Sequence, residues 1–212
     1  MIRGNSMKKH NLIHRALSYL CIPVFALTLT MCSAGMDEPT SPQNIPAVPP
    51  IDPPVTCGFK PGDTACNFEL IDQNGTVTSL YNFSGKAVVI DFSTMWCGPC
   101  QLAATTVQAT QEKYGENTLA YLTVLVDNFQ GESPTQVELR QWAEHFNIEA
   151  PVMSGQRDML DPTGENGWHL NYWPTFVFID YDMTILEYMD GWNEEILQGK
   201  INKLVLCELR QA

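Results

Sequence analysis

The feature that most constrains this chain is an apolar run that ends in two closely spaced cysteines. Residues 86–92, KAVVIDF, lead directly into Ser93-Thr94-Met95-Trp96-Cys97-Gly98-Pro99-Cys100. A short, nearly continuous run rich in β-branched residues reads as a strand buried on both faces, the signature of a central strand in a mixed sheet. Residues 101–114 contain good helix formers without Gly or Pro, so the cysteine pair opens a helix. The first sulfur then sits at a helix N-terminus, where partial positive charge stabilises its thiolate. Only the thiolate attacks a disulfide. Two intervening residues let the second sulfur reach back. Pro99 suits the first turn, where its missing N–H costs nothing. Half of a zinc site would need a second Cys/His pair near in space, and no other C-x-x-C and no H-x-x-H occurs in the sequence. The strand-to-helix placement argues against an inert structural disulfide.

Around this segment the elements alternate. Residues 68–71 and 76–80 flank Asp72-Gln73-Asn74-Gly75, and Asn-Gly is a strong hairpin signal. Residues 118–126 form a second central strand. Residues 134–146 form a helix whose Leu139, Trp142, Ala143 and Phe146 recur at i, i+3, i+4 and i+7. Residues 175–180 form a third strong strand, Tyr181-Asp182 a turn, and residues 184–189 pair back. Residues 194–206 close as a helix with Ile196, Ile201 and Leu204 on its apolar side. The fold class is therefore α/β, a mixed central sheet with helices on both faces and an N-terminal β-hairpin. The polar segment 154–171, just before Pro174, is expected to lie beside the cysteine pair and to influence partner choice. Its His169 either tunes the thiolate or, more commonly for a lone histidine, is a surface or core residue.

The ends read differently. Residues 7–34 carry Lys8, Lys9 and Arg15, then an uncharged, mostly apolar stretch over 16–31. That is a signal-peptide pattern, too short for a comfortable membrane span. Leu29-Thr30-Met31-Cys32 resembles a lipobox, which would make Cys32 a lipidated mature terminus; cleavage after Ala34 and a retained anchor are the rivals. Seven prolines at 39, 42, 46, 49, 50, 53 and 54 make the next stretch a semi-rigid spacer. The expected organisation is a leader over 1–34, a linker over 35–56 and a domain over 57–212. The formal charge is −12; the leader holds four of the 12 bases and no acid, leaving a body at −16. Such a body repels phosphate backbones, so no nucleic-acid partner is expected.

VVIDFSTMWCGPC, residues 88–100, resembles the active-site segment of the thioredoxin superfamily. Residues 172–177, YWPTFV, resemble its second signature, the cis-proline loop entering a strand. The hairpin from Pro61 to Gly85 resembles the redoxin branch that includes exported TlpA-like proteins. The resemblance spans residues 58–206. It implies a thioredoxin fold and a thiol-disulfide oxidoreductase, an enzyme acting on protein thiols and disulfides together with a separate redox partner and without a cofactor or metal. It implies that Cys97 attacks, Cys100 resolves, Trp96 flanks the pair, and Pro174 is cis and faces it. Trp96, Trp173 and Pro174 would then contact the client. Asp91, at the position of a buried acid, would accept the resolving thiol's proton; the simpler readings are an Asp satisfied by local hydrogen bonds and a trans proline that begins a strand.

The departures are Ser93 in place of a second tryptophan, Thr105 in place of a helix proline, Ala103 in place of a glutamate, and a bulky Trp173 before the proline. Cys-Gly-Pro-Cys favours reduction over oxidation; an exported reductase then needs an electron donor. Two alternatives remain. Thr94, three residues before Cys97, fits a peroxidase pattern, but Ile90 stands where that pattern needs proline. A non-enzymatic redox-fold binding or haem-delivery module is the other. Cys57 and Cys66, nine positions apart, suit a local disulfide in an oxidising compartment. Cys207 pairing with either, or buried thiols, are the alternatives.

Overall fold

The computed structural model describes residues 52–54 and 56–208. The expected leader, Cys32 and most of the linker lie outside them. So does the side chain of Cys207.

Two strands carry the architecture. β3 (Ala87–Thr94) and β4 (Leu119–Asp127) run parallel, and every residue of both is buried. A strand covered on both faces cannot alternate polar and apolar residues, which is why these segments read as continuous apolar runs. On the other side of β3, β6 (Thr175–Ile179) pairs antiparallel, followed by β7 (Ile185–Asp190); β5 (Val152–Ser154) extends the sheet beyond β4. The strand order is β5-β4-β3-β6-β7. This is the mixed sheet expected, with thioredoxin topology. The three-residue strand β5 was not legible in the sequence, because its pattern is too short to carry a period.

One face of the sheet packs against α1 (Gly98–Ala104), α2 (Val107–Tyr114), α3 (Gln136–Phe146) and α4 (Glu194–Glu208). Val89, Tyr121 and Phe178 form a single cluster with Ala103, Val107, Leu139, Leu197 and Ile201. The crossovers β3–β4 and β4–β5 step the same way across the sheet, and crossovers of one hand then lay their helices on one face. The opposite face gathers Val88, Ile90 and Phe92 with Leu80 and Tyr81 of a 3₁₀ helix at Leu80–Phe83, and with Phe68.

The N-terminal hairpin forms as the Asn-Gly pair indicated. β1 (Glu69–Ile71) pairs antiparallel with β2 (Val77–Ser79), and Gly75 takes φ 81°. The Asp72 carboxylate accepts the N–H groups of Asn74 and Thr76, both at 2.8 Å. Leu80 leaves the second strand early because the Ser79 hydroxyl accepts the Tyr81 N–H and caps the 3₁₀ turn.

Three elements depart from expectation. The helix expected over 101–114 begins at Gly98 and is broken at Thr105 and Thr106. No proline stands there; instead the two threonine hydroxyls donate to the carbonyls of Leu102 (2.7 Å) and Ala103 (2.9 Å), and this back-bonding diverts the backbone. In α4 the buried side uses Leu197, and Ile196 is 51% exposed. Most unexpectedly, Trp168, within the polar segment, is only 2% exposed. It sits edge-on to Phe59 (5.4 Å) and Phe68 (6.2 Å) and tilted against Phe92 (5.8 Å). Gly167 makes this possible: a Cβ there would lie 2.7 Å from the Met159 carbonyl oxygen, so only glycine permits the close approach that turns Trp168 inward.

Cys57 and Cys66 are joined in a disulfide, with Cα atoms 4.8 Å apart, beside the isolated bridge of Gly58 with Ala65. A loop of this length stabilises by about 2–3 kcal/mol through the unfolded chain. Among the described residues no helix is long and apolar enough to cross a membrane.

Candidate active site

The site is assembled where β3 ends. Cys97 is the N-cap of α1, in extended conformation, and its sulfur accepts the Cys100 N–H at 3.3 Å. Gly98 and Pro99 complete the first turn and are exposed, whereas Cys97 is 6% exposed and Cys100 fully buried. The two sulfurs are joined, with Cα atoms 5.2 Å apart. The burial difference distinguishes the two residues: Cys97 keeps a small exposed fraction and Cys100 keeps none. A hydrogen bond donated to sulfur at a helix N-cap stabilises the thiolate once the pair is opened.

The register of β3 against β6 brings the second signature to the same end of the sheet. Phe92 pairs with Thr175, so the loop just before β6 lies beside the segment just after β3. The Trp173–Pro174 peptide is cis. Trp173, half-buried, meets the 46%-exposed Trp96 edge-on, with ring centroids 6.5 Å apart. The loop is tied down from behind: the Thr175 hydroxyl lies 2.7 Å from the Tyr172 carbonyl and 2.9 Å from Asp190 Oδ1, and the Gly191 N–H donates to the Pro174 carbonyl at 2.7 Å. Tyr172 is 65% exposed. On the other flank a groove of about 490 Å³ runs past Met95 and Gln101 to Phe129, Trp142, His145 and Phe146.

Asp91 lies within β3, six residues before Cys97, and is 1% exposed. Its Oδ1 accepts the Ser93 hydroxyl at 2.6 Å, and its Oδ2 has no hydrogen-bond partner among the described residues. Burial pushes this carboxyl up to about 7, and the Ser93 hydrogen bond acts in the opposite direction. Tyr121 on β4, fully buried, is raised by burial and by the neighbouring Asp91 charge. Local hydrogen bonding therefore satisfies half of Asp91 and leaves the other half open.

Other expected participants fall elsewhere. His169 stacks edge-on against Tyr188 at 5.5 Å, with its Nε2 3.0 Å from Asn171. Ala103 is buried in the cluster beneath α1. One charged pair near the site was not anticipated. Asp127 closes β4 at 1% exposure, paired in register with Thr94, and receives Arg157 from the segment after β5 through both oxygens, Nε lying 2.8 Å from Oδ1. An acid at the end of an otherwise apolar strand was the available signal; its partner, 30 residues on, was not legible.

Comparison with known proteins agrees with this geometry. A model described as the AhpC/TSA family matches residues 61–188. The thioredoxin-like protein YneN of Bacillus subtilis is 25% identical over 124 residues, 58% of this chain and 67% of its own. The thiol-disulfide oxidoreductase ResA of Geobacillus kaustophilus is 27% identical over 130 residues, 61% of this chain and 69% of its own. Among solved structures, the thioredoxin domain of a thiol-disulfide oxidoreductase from Bacteroides vulgatus superposes with a TM-score of 0.57 at 18% identity, covering 69% of this chain and 99% of that one. A thiol:disulfide interchange protein of Chlorobium tepidum gives 0.53 at 18% identity over 72% and 99%. At that identity the structures speak for the fold.

Proposed function

This chain belongs to the AhpC/TSA family, and from that premise we propose that it reduces protein disulfides outside the cytoplasm through Cys97 and Cys100. It is a thiol-disulfide oxidoreductase of the thioredoxin-like redoxin class. The observation that carries the proposal is the asymmetry of the pair, with Cys97 at a helix N-cap and slightly exposed and Cys100 fully enclosed.

In the reduced protein the Cys97 thiolate attacks a client disulfide. A bond forms from Cys97 to one client sulfur, and the other leaves as a thiolate that takes a proton from solvent. Asp91 then accepts the Cys100 proton, and the Cys100 sulfur displaces the client from Cys97. The products are a client dithiol and a Cys97–Cys100 disulfide, so two electrons have passed from protein to client. A second thiol protein must return two electrons and two protons to close the cycle. Trp96 and the half-buried Trp173 face the client, the buried Pro174 holds the loop beneath them, and the extended client segment adds to the backbone of that cis-proline loop.

Export rests on the leader pattern over 1–34. The Cys57–Cys66 disulfide fits an oxidising compartment. The linker over 35–56 is the spacer, the domain spans 57–212, and the mature chain is either lipid-anchored at Cys32 or released after Ala34. The peroxidase and binding-module readings are not favoured. The relatives are named as thiol-disulfide oxidoreductases, and Ile90 occupies the position a peroxidase proline would take.

The test is a trap. Cys100→Ser is expected to accumulate client proteins disulfide-linked to Cys97, and the wild type to catalyse insulin reduction by dithiothreitol, both lost in Cys97→Ser. A pair that does not cycle between joined and open forms would overturn the assignment. A reduction potential near about −120 mV would reverse its direction.

A further inference from the structure

At Ser93, where the resembling superfamily carries a large aromatic, this chain places a small hydroxyl against a buried acid of the central strand that leads to the pair. Ser93 and Asp91 are two apart on β3, so their side chains leave the strand on the same face. That face is the one α1 covers, since Val89 below them clusters with Ala103 and Ala104. Ser93 is 0% and Asp91 1% exposed, and the hydroxyl donates to Oδ1 at 2.6 Å. A donor this short, shielded from water, fixes which carboxylate oxygen is occupied. The remaining oxygen, Oδ2, is buried without a partner.

We propose that Ser93 is a positioning residue of the redox reaction: its hydroxyl holds Asp91 by Oδ1, so that Oδ2 is the oxygen that exchanges a proton with Cys100. The inference rests on the oxidoreductase reading and extends it to a residue outside the family's redox pair. When the mixed disulfide resolves, the Cys100 S–H bond breaks and its proton passes to Oδ2. The Cys100 sulfur forms the bond to Cys97, and the client thiolate leaves. The proton is released from Asp91 to solvent after the client departs, so the pair is oxidised by two electrons and the carboxylate is regenerated.

The Ser93 donor also keeps the carboxylate available at neutral pH, because it bonds to the charged form and opposes the effect of burial. The surroundings leave this balance to Ser93. From β4, Asp91 pairs in register with Thr123, and its charge helps raise the Tyr121 hydroxyl; from β6 it pairs with Phe176. The helices that cover this face bring apolar side chains to it: Ala103 and Ala104 from α1, and Leu197 and Ile201 from α4. The other buried carboxylates are engaged elsewhere: Asp72 in the hairpin turn and Asp127 with Arg157.

The test titrates Asp91 directly, by its ¹³C carboxyl shift in the oxidised protein, and in parallel follows the pH profile of mixed-disulfide resolution. In Ser93→Ala the Asp91 midpoint is expected to rise by about one pH unit, and resolution below the midpoint to slow by about tenfold. Ser93→Thr, which keeps the hydroxyl, is expected to restore both. If the alanine protein does not fold, Ser93→Gly removes the same hydroxyl without adding volume. An unmoved midpoint in either hydroxyl-free variant overturns the proposal, as does a lower rate with an unshifted profile, which would mark Ser93 as merely structural. The titration needs no client, so failure of wild-type insulin reduction would sink the functional reading without touching this result.

Discussion

Asp91 gives this protein a pH dependence opposite in sign to that of its hydrogen-bonded carboxylates Glu138 and Asp161, whose values are lowered. Asp91 rises from an ordinary 3.8 to about 7 because burial penalises its charged form, with Ser93 opposing. A group with a raised folded value binds its proton more tightly in the folded state. Its favourable contribution is therefore fully present below about pH 4 and is lost as pH rises through about 7. Asp91→Asn removes this dependence. Thermal or urea unfolding is expected to show the variant and wild type nearly equal at pH 4, with the variant more stable at pH 8 by up to about 4 kcal/mol. Equal stabilities at pH 8 would mean that Asp91 is not held in a desolvated setting. At this scale the sequence was informative where chemistry is local: Cys97, Cys100, Asp91 and Pro174 were all marked by their spacing or by resemblance. The hydrogen bond from Ser93 was not, because the same residue would be inert on an exposed strand.

At the scale of elements, helix ends proved more legible than helix continuity. α3 begins where Thr135 accepts the Glu138 N–H and Glu138 accepts the Thr135 N–H, a reciprocal cap. Thr135→Ala is expected to cost about 1 kcal/mol in chemical denaturation while leaving insulin reduction unchanged, since the cap does not include Trp96, Trp173 or Pro174, the proposed client contacts. A loss of activity at full stability would instead tie α3 to client binding through the neighbouring groove. The break between α1 and α2 shows the opposite situation. Thr105 and Thr106 have acceptable helix propensity, so a propensity reading runs straight through them. What divides the helix is where their hydroxyls find carbonyl partners, a local competition that composition does not reveal.

On the scale of the whole molecule, one face of the sheet depends on a residue that arrives from far along the chain. Trp168 joins Phe59, Phe68 and Phe92, linking the N-terminal segment, the hairpin and the central strand. It also lies six residues ahead of the cis proline, in the segment that Arg157 fastens to Asp127. Trp168→Ala is expected to lower stability by about 3–5 kcal/mol, with Trp168→Phe intermediate. Because the second core supports β3 from behind, insulin reduction should fall together with the melting temperature. A Trp168→Ala protein that melts like wild type would show that the hairpin side contributes little to holding the sheet.

The continuous apolar strands, the Asn-Gly hairpin and the thiol pair at a helix start follow from residues close together in the chain, where period, turn chemistry and spacing act before any tertiary contact exists. The sequence by itself therefore determined the sheet's central strands and the position of the thiol pair at the end of one of them. Only the folded structure decided that Trp168 turns inward from a polar loop, that Arg157 meets Asp127, and that Asp91 has one oxygen bound and one open. Each of these depends on desolvation and on partners that the chain brings together by folding, and neither is written in the local pattern of side chains.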